Sequence, residues 1–169
     1  MKIVIATPLY PPDIADQALY VKELATRLAP NHRVTVVTYG RIPEKVPGVT
    51  ILLTNKHLPA PLRLLKFTYN LLRALNDADA FYVHSGISAE LPSLVARILF
   101  KTRTLIRITT PTDTPFKKFV RTHLAKKAIE INIDTQLQRP EILPFKPYPT
   151  DAFKIYDQAW NKHTRTIEI

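Results

Sequence analysis

Continuous apolar runs alternate along this chain with segments of helical period. KIVIAT (2–7), RVTVVTY (33–39), VTILLT (49–54), DAFYVHS (79–85) and RTLIRIT (103–109) have strand length, and most are rich in β-branched residues. Apolar on consecutive positions, they fit strands buried on both faces of a parallel sheet. Between the first two, Ala18, Val21, Ala25 and Leu28 recur at helical spacing. They predict a helix over 16–29, with Asp16 as its N-cap and Pro30 as its stop. Further helices are predicted over 63–75, 87–100 and 116–131, and Pro92 fits the second of these only in its first turn.

The resulting order, β-α-β-β-α-β-α-β-α, predicts an α/β Rossmann-like domain over residues 1–131. Its three layers are helices on both faces of a mainly parallel sheet of about five strands. Beyond Ile131 the pattern changes. Four prolines fall within residues 140–149, so 132–169 reads as a proline-rich extended tail in which DAFKIYDQAWNKH can form a short helix.

Composition narrows this picture. With 169 residues, 46% hydrophobic, the chain suits one domain with a real core and is far from the disordered class. Cysteine is absent, which excludes a disulfide framework and thiolate metal sites and fits a reducing cytosol. No apolar run approaches the roughly 18 residues of a membrane span. MKIVIATPLYPP runs into prolines without a small-residue cleavage site, so it reads as a strand and not a signal peptide. The net charge of +10 favours anionic partners. Three glycines against 15 prolines leave no material for a glycine-rich phosphate cradle.

In an open parallel sheet, ligands bind beyond the carboxyl ends of the strands. That rule selects the loops Pro8–Ala18, His84–Gly86 and Thr109–Thr114, rich in Thr, Ser, His and Asp. Two of them open helices, whose free amides and positive dipole end suit a phosphate or carboxylate. Ser, Thr, Asp and Pro are equally the ordinary residues of helix starts. A single loop of this kind is a connection; convergence of three on one rim is what makes a site.

KIVIATPLYPPDI followed by ALYVKELATRLA and HRVTVVTY resembles the opening of GT-B glycosyltransferases of the family 4 type. The likeness continues through PEKVPGV, the basic amphipathic PLRLLKFTYNLLRAL, the strand DAFYVHSGIS and the helix AELPSLVARIL, covering about residues 2–110. The resemblance implies the acceptor-side, amino-terminal domain of a hexosyltransferase-type enzyme. Such enzymes are roughly twice this size, two domains of ordinary length. Sugar transfer would therefore need a separate donor-binding glycosyltransferase domain or subunit, which would bind the nucleotide sugar; the half would be inactive alone. Where the family carries paired glycines after its first strand, this chain has Ala15 and Asp16; after its fifth strand it reads TTPTDT. If the chain takes part in the chemistry, Asp13 or His84 of the rim loops is the candidate base for an acceptor hydroxyl, while a structural histidine at a strand end accounts for His84 at least as well. Tyr10, Pro12, Ile14, Ala15, Asp16, Ser85, Gly86, Thr110 and Asp113 would line the substrate cleft.

Other constellations carry less. NDADA (76–80) has the form of a metal-binding Asp-x-Asp but precedes a strand, on the rim opposite the loops above, and reads as a turn. His84 and Ser85, adjacent on a strand, point to opposite faces and make a poor nucleophile couple. The five histidines are scattered without an i, i+4 pair, so no metal site and no cofactor are expected. The helices over 63–75 and 116–131 are amphipathic and basic, the latter with Lys117, Lys118, Arg121, Lys126 and Lys127. A sheet-covering helix with a solvated basic face explains them; so does attachment to an anionic membrane surface or a partner subunit. No nucleic-acid-binding motif is present. The expectation is a cytoplasmic protein, peripheral at the inner face of the membrane if the basic helices bind lipid. The alternative to a transferase half is a degenerate, non-catalytic binding module held there or on a partner protein by those helices.

Overall fold

The computed structural model of the chain describes residues 1–84, 86–100, 102–107, 114–125 and 129–130. β1 (Lys2–Ala6) leads to α1 (Asp16–Leu28), β2 (Arg33–Tyr39), β3 (Val49–Thr54) and α2 (Ala60–Leu75). β4 (Ala80–His84), α3 (Ile87–Leu99), β5 (Arg103–Arg107), α4 (Pro115–Ala125) and β6 (Ile129–Glu130) follow. The sheet order is β3-β2-β1-β4-β5-β6, and every neighbouring pair is parallel. Strands are added outward from β1 in both directions, so the order reverses between β1 and β4. This is a three-layer, doubly wound α/β architecture of Rossmann type.

Alternation along the strands assigns the two faces. Val4, Ala6, Val37, Tyr39, Phe81, Val83 and Ile106 form one core with Phe67 and Leu71 of α2, Ala89 and Ala96 of α3 and Leu124 of α4. The intervening positions Ile3, Ile5, Val34, Val36 and Tyr82 are buried too, on the face where α1 packs. The α1 residues predicted to face inward, Ala18, Val21, Ala25 and Leu28, are all buried. At roughly 25 cal/mol per Å² of apolar surface removed from water, strands covered on both sides are the main source of stability.

The structure corrects four boundaries. The N-cap of α1 is Ala15, in extended conformation, and Asp16 is the first helical residue. α2 starts at Ala60, three residues before the predicted start, because Pro61 sits in its first turn, where a fixed φ is helical and an amide is not needed. Pro92 lies inside α3, beyond its first turn. α4 ends at Ala125, and Ile129–Glu130 pairs with Leu105 and Ile106 of β5 as a two-residue sixth strand. The apolar-polar alternation of IEINI has the period of a strand, which the helical reading of 116–131 overlooked. The tail over 132–169 lies outside the described residues.

Candidate functional site

The loop after β1 is built around a Pro11–Pro12 peptide in the cis form. Thr7 Oγ1 donates to the Leu9 carbonyl at 2.8 Å, and the Asp13 amide donates to the Tyr10 carbonyl at 3.1 Å, folding the segment back on itself. Tyr10 and Pro11 are buried by this turn, whereas Ile14 stands fully in solvent. The carbonyl of Ala15 accepts the first helical bonds, from Ala18 and Leu19.

The predicted crevice of a doubly wound sheet lies where the strand order reverses, here between β1 and β4. At that point the two rim loops touch. Gly86 has φ of 150°, and a Cβ built on it would lie 2.7 Å from Pro8 Cγ. Glycine is required there twice, by backbone conformation and by space. Gly86 is also the N-cap of α3, and its amide donates to the Glu90 carboxylate at 2.9 Å. Glu90, fully buried, receives Arg121 of α4 as well, with Nη2 at 3.0 Å and Nε at 3.1 Å. The β1 loop, the start of α3 and α4 are thus joined around one carboxylate.

The open cleft lies to the other side, above the carboxyl ends of β2 and β3, with a volume of about 230 Å³. Its floor is Thr38 and Tyr39 of β2, Gly40 just beyond them and Leu53 of β3. One wall is Tyr10, Pro11 and Pro12; the other is Arg41, Ile42 and Pro43. The amide of Glu44 donates to the Pro11 carbonyl at 3.0 Å, and Lys22 pairs with Glu44, so the two walls are tied to each other and to α1. Across the mouth, Lys56 Nζ donates to the Asp13 carboxylate at 2.7 Å. The Tyr10 hydroxyl is buried and has no hydrogen-bond partner. Burial first, then the nearby negative charge of Glu44, pushes its pKa up to about 12.

His84 sits elsewhere. It ends β4 on the α1 face, 1% exposed, with Nδ1 and the Tyr82 hydroxyl 3.1 Å apart and Nε2 without a partner. Its ring lies 5.9 Å from that of Tyr20, over which the Arg107 guanidinium is placed at 3.9 Å. Burial, and then the positive charge of Arg107, lowers its pKa to about 3, so the imidazole is neutral near pH 7.

Of the residues expected from sequence, Tyr10, Pro12 and Asp13 line the cleft. Ile14 and Ala15 lead away from it into α1, and Gly86 packs on Pro8. Ser85, Thr110 and Asp113 lie outside the described residues. The far wall, Arg41 to Pro43, and Lys56 were missed. The rule that selected the loops after strands one, four and five applies equally to the ends of β2 and β3, and would have found them.

The turn at 76–80 lies at the opposite rim, where Asp79 accepts the Lys2 amide at 2.7 Å and joins the starts of β1 and β4. Among the described residues no group of three His, Cys, Asp or Glu could hold a metal ion, and no helix is long and apolar enough to cross a membrane. Fold and rim define an all-parallel, Rossmann-like α/β domain with a cleft at the carboxyl ends of its strands. Compared with known proteins, the chain matches no family model and no curated sequence significantly.

Proposed function

We propose that this chain is the acceptor-side half of a family 4-like GT-B glycosyltransferase that transfers sugar together with a separate donor-binding domain or subunit. The observation that carries the reading is the cleft at the carboxyl rim of an all-parallel sheet, with the Asp13 carboxylate at its mouth. In this reading an acceptor hydroxyl in the cleft attacks the anomeric carbon of a nucleotide sugar held by the partner. Asp13 takes the hydroxyl proton, and the nucleoside diphosphate leaves with the electrons of the broken bond. The close approach of Pro8 to Gly86 at the β1–β4 rim supports the donor being held by the partner half. His84, buried and neutral near pH 7, is the second candidate base.

The test is sugar transfer by the chain mixed with a candidate donor-binding subunit, such as one encoded by a neighbouring reading frame. Transfer is expected with both halves and with neither alone, and Asp13→Ala should slow it by about 10²–10⁴-fold. Full activity of an Asp13→Ala, His84→Ala double variant removes both residues from the chemistry. Strong thermal stabilisation of the isolated chain by a nucleotide sugar contradicts the division of labour.

A second reading rests on a separate observation. Leu62, Leu65 and Tyr69 of α2 and Phe116 and Phe119 of α4 are all more than half exposed, beside exposed Lys66, Arg73 and Lys118. Exposed apolar ridges flanked by cations suit a non-catalytic module on an anionic lipid surface. Salt-sensitive sedimentation with anionic vesicles, without any transfer activity, would favour it.

A further inference from the structure

We propose that the cleft above β2 and β3 binds a small ring-bearing anion, whose charged group replaces the Asp13 carboxylate on Lys56. The lining argues for a ring. Tyr10, Pro11, Pro12, Pro43 and Leu53 present flat or branched apolar surfaces with few polar atoms between them. A space of about 230 Å³ is below the roughly 300–1,000 Å³ of sites for drug-sized ligands, so it takes one ring and a substituent.

The mouth argues for an anion. Among the residues lining the cleft, Asp13 is the single carboxylate, against the cations Lys56 and Arg41. The side chains of the Lys56–Asp13 pair are 45% and 24% exposed, and a pair so open to water is readily exchanged. An incoming anion keeps both cations satisfied. An incoming cation would have to displace Lys56 and then face Arg41, on a chain of net charge +10.

The wall formed by the β1 loop supplies a third requirement. The Tyr10 residue is 2% exposed, its hydroxyl has no partner, and it lines the cleft. Buried hydroxyls are normally paired, so a ligand acceptor in reach of this one satisfies a group the fold leaves open. Under the transferase reading, and resting on it, an anionic acceptor would also release the Asp13 carboxylate from Lys56 for its role as base. The binding itself does not depend on that reading.

The test uses the full chain alone, with amide NMR spectra recorded during titration with phenyl phosphate, benzoate, benzyl alcohol and inorganic phosphate. Phenyl phosphate or benzoate should shift the amides of Tyr10, Asp13, Gly40 and Lys56 saturably; which of the two binds tighter identifies the anion. Benzyl alcohol and inorganic phosphate should bind at least about tenfold more weakly. Lys56→Met should weaken binding by about tenfold, and Tyr10→Phe should weaken it less. Asp13→Asn should tighten it several-fold, because the competitor for Lys56 is gone. Well-dispersed spectra confirm that each variant is folded. The proposal is overturned if neither anion gives saturable shifts by roughly 10 mM, where a ligand with Kd near 1 mM is about nine-tenths bound. Shifts elsewhere, an equal response to benzyl alcohol, or weaker binding by Asp13→Asn overturn it as well. No donor subunit is present, so failure of sugar transfer and failure of this binding are separate results.

Discussion

The Tyr39 hydroxyl donates a 2.8 Å hydrogen bond to the carbonyl of Ser88, the acceptor that an amide at position 92 would engage in a regular helix. Pro92 has no amide, yet it lies inside α3. A side chain from the neighbouring strand thus completes the helix that the proline interrupts. The Tyr39 ring stacks on Phe67 at 4.5 Å, which fixes the hydroxyl where it is needed.

Tyr39→Phe should therefore cost about 1–2 kcal/mol in denaturant unfolding, since it leaves a shielded carbonyl unpaired. In a Pro92→Ala background, where an amide is restored, the same substitution should cost distinctly less. Equal costs in the two backgrounds would mean that the hydroxyl does not substitute for the missing amide.

His84 makes stability depend on acid. Its folded pKa is about 3, against roughly 6.5 in an unfolded chain. The unfolded state binds the extra proton between those values, so stability is full above about pH 6.5 and falls as pH drops toward 3. Near pH 5 the loss should be about 2 kcal/mol. His84→Gln should flatten that part of the pH profile, measured by urea midpoints; an unchanged slope would remove His84 as its cause.

Tyr10 and Tyr39 act at the other end of the scale. Both are raised to about 12 by burial, with Glu44 adding to the rise at Tyr10 and Arg63 opposing it at Tyr39. A phenol raised above its unfolded value near 10 contributes fully below that pH, and its contribution is lost as pH climbs toward 12. Ultraviolet titration should show Tyr10 and Tyr39 among the late-ionising tyrosines. Tyr10→Phe and Tyr39→Phe should each delete one late step.

Gly86→Ala should cost about 1–3 kcal/mol, from its positive φ and from the overlap with the Pro8 ring. Pro8→Ala should recover the part due to overlap and leave the part due to φ. A thermal melt of the three variants separates the two; additive losses would show that the added methyl group and the Pro8 ring do not collide.

Arg121→Leu strands the Glu90 carboxylate in the interior, which typically costs about 3–5 kcal/mol. Adding Glu90→Gln removes that charge and keeps an acceptor for the Gly86 amide, so the double variant should regain much of the loss. A double variant no more stable than the single one would contradict this.

The sheet was legible because its strands are uniform. KIVIA, RVTVVTY and AFYVH are apolar on both faces, and only a doubly covered parallel strand satisfies them. The inward residues of α1 followed from spacing alone. What local sequence could not show depends on partners distant in the chain. Pro92 looks like a helix start until Tyr39, 49 residues before Ser88, supplies the missing donor. Pro61 looks like a breaker until its place in a first turn is known. The near wall of the cleft was readable in TPLYPPDI, whose turn is local. Lys56 could be placed at the end of β3 by the rule that ligands bind beyond the carboxyl ends of strands. Its pairing with Asp13 could not, because the two are 43 residues apart and only parallel pairing of β1, β2 and β3 brings them together.

The bond from the Glu44 amide to the Pro11 carbonyl has a mechanical meaning. It joins the proline turn to the segment after Pro43, so one main-chain bond links both sides of the cleft. The bridge of Lys56 to Asp13 crosses the mouth and can part without breaking main-chain pairing. Under the binding proposed above, a ligand would meet walls already joined by main chain, with one pair of charges to part at the mouth.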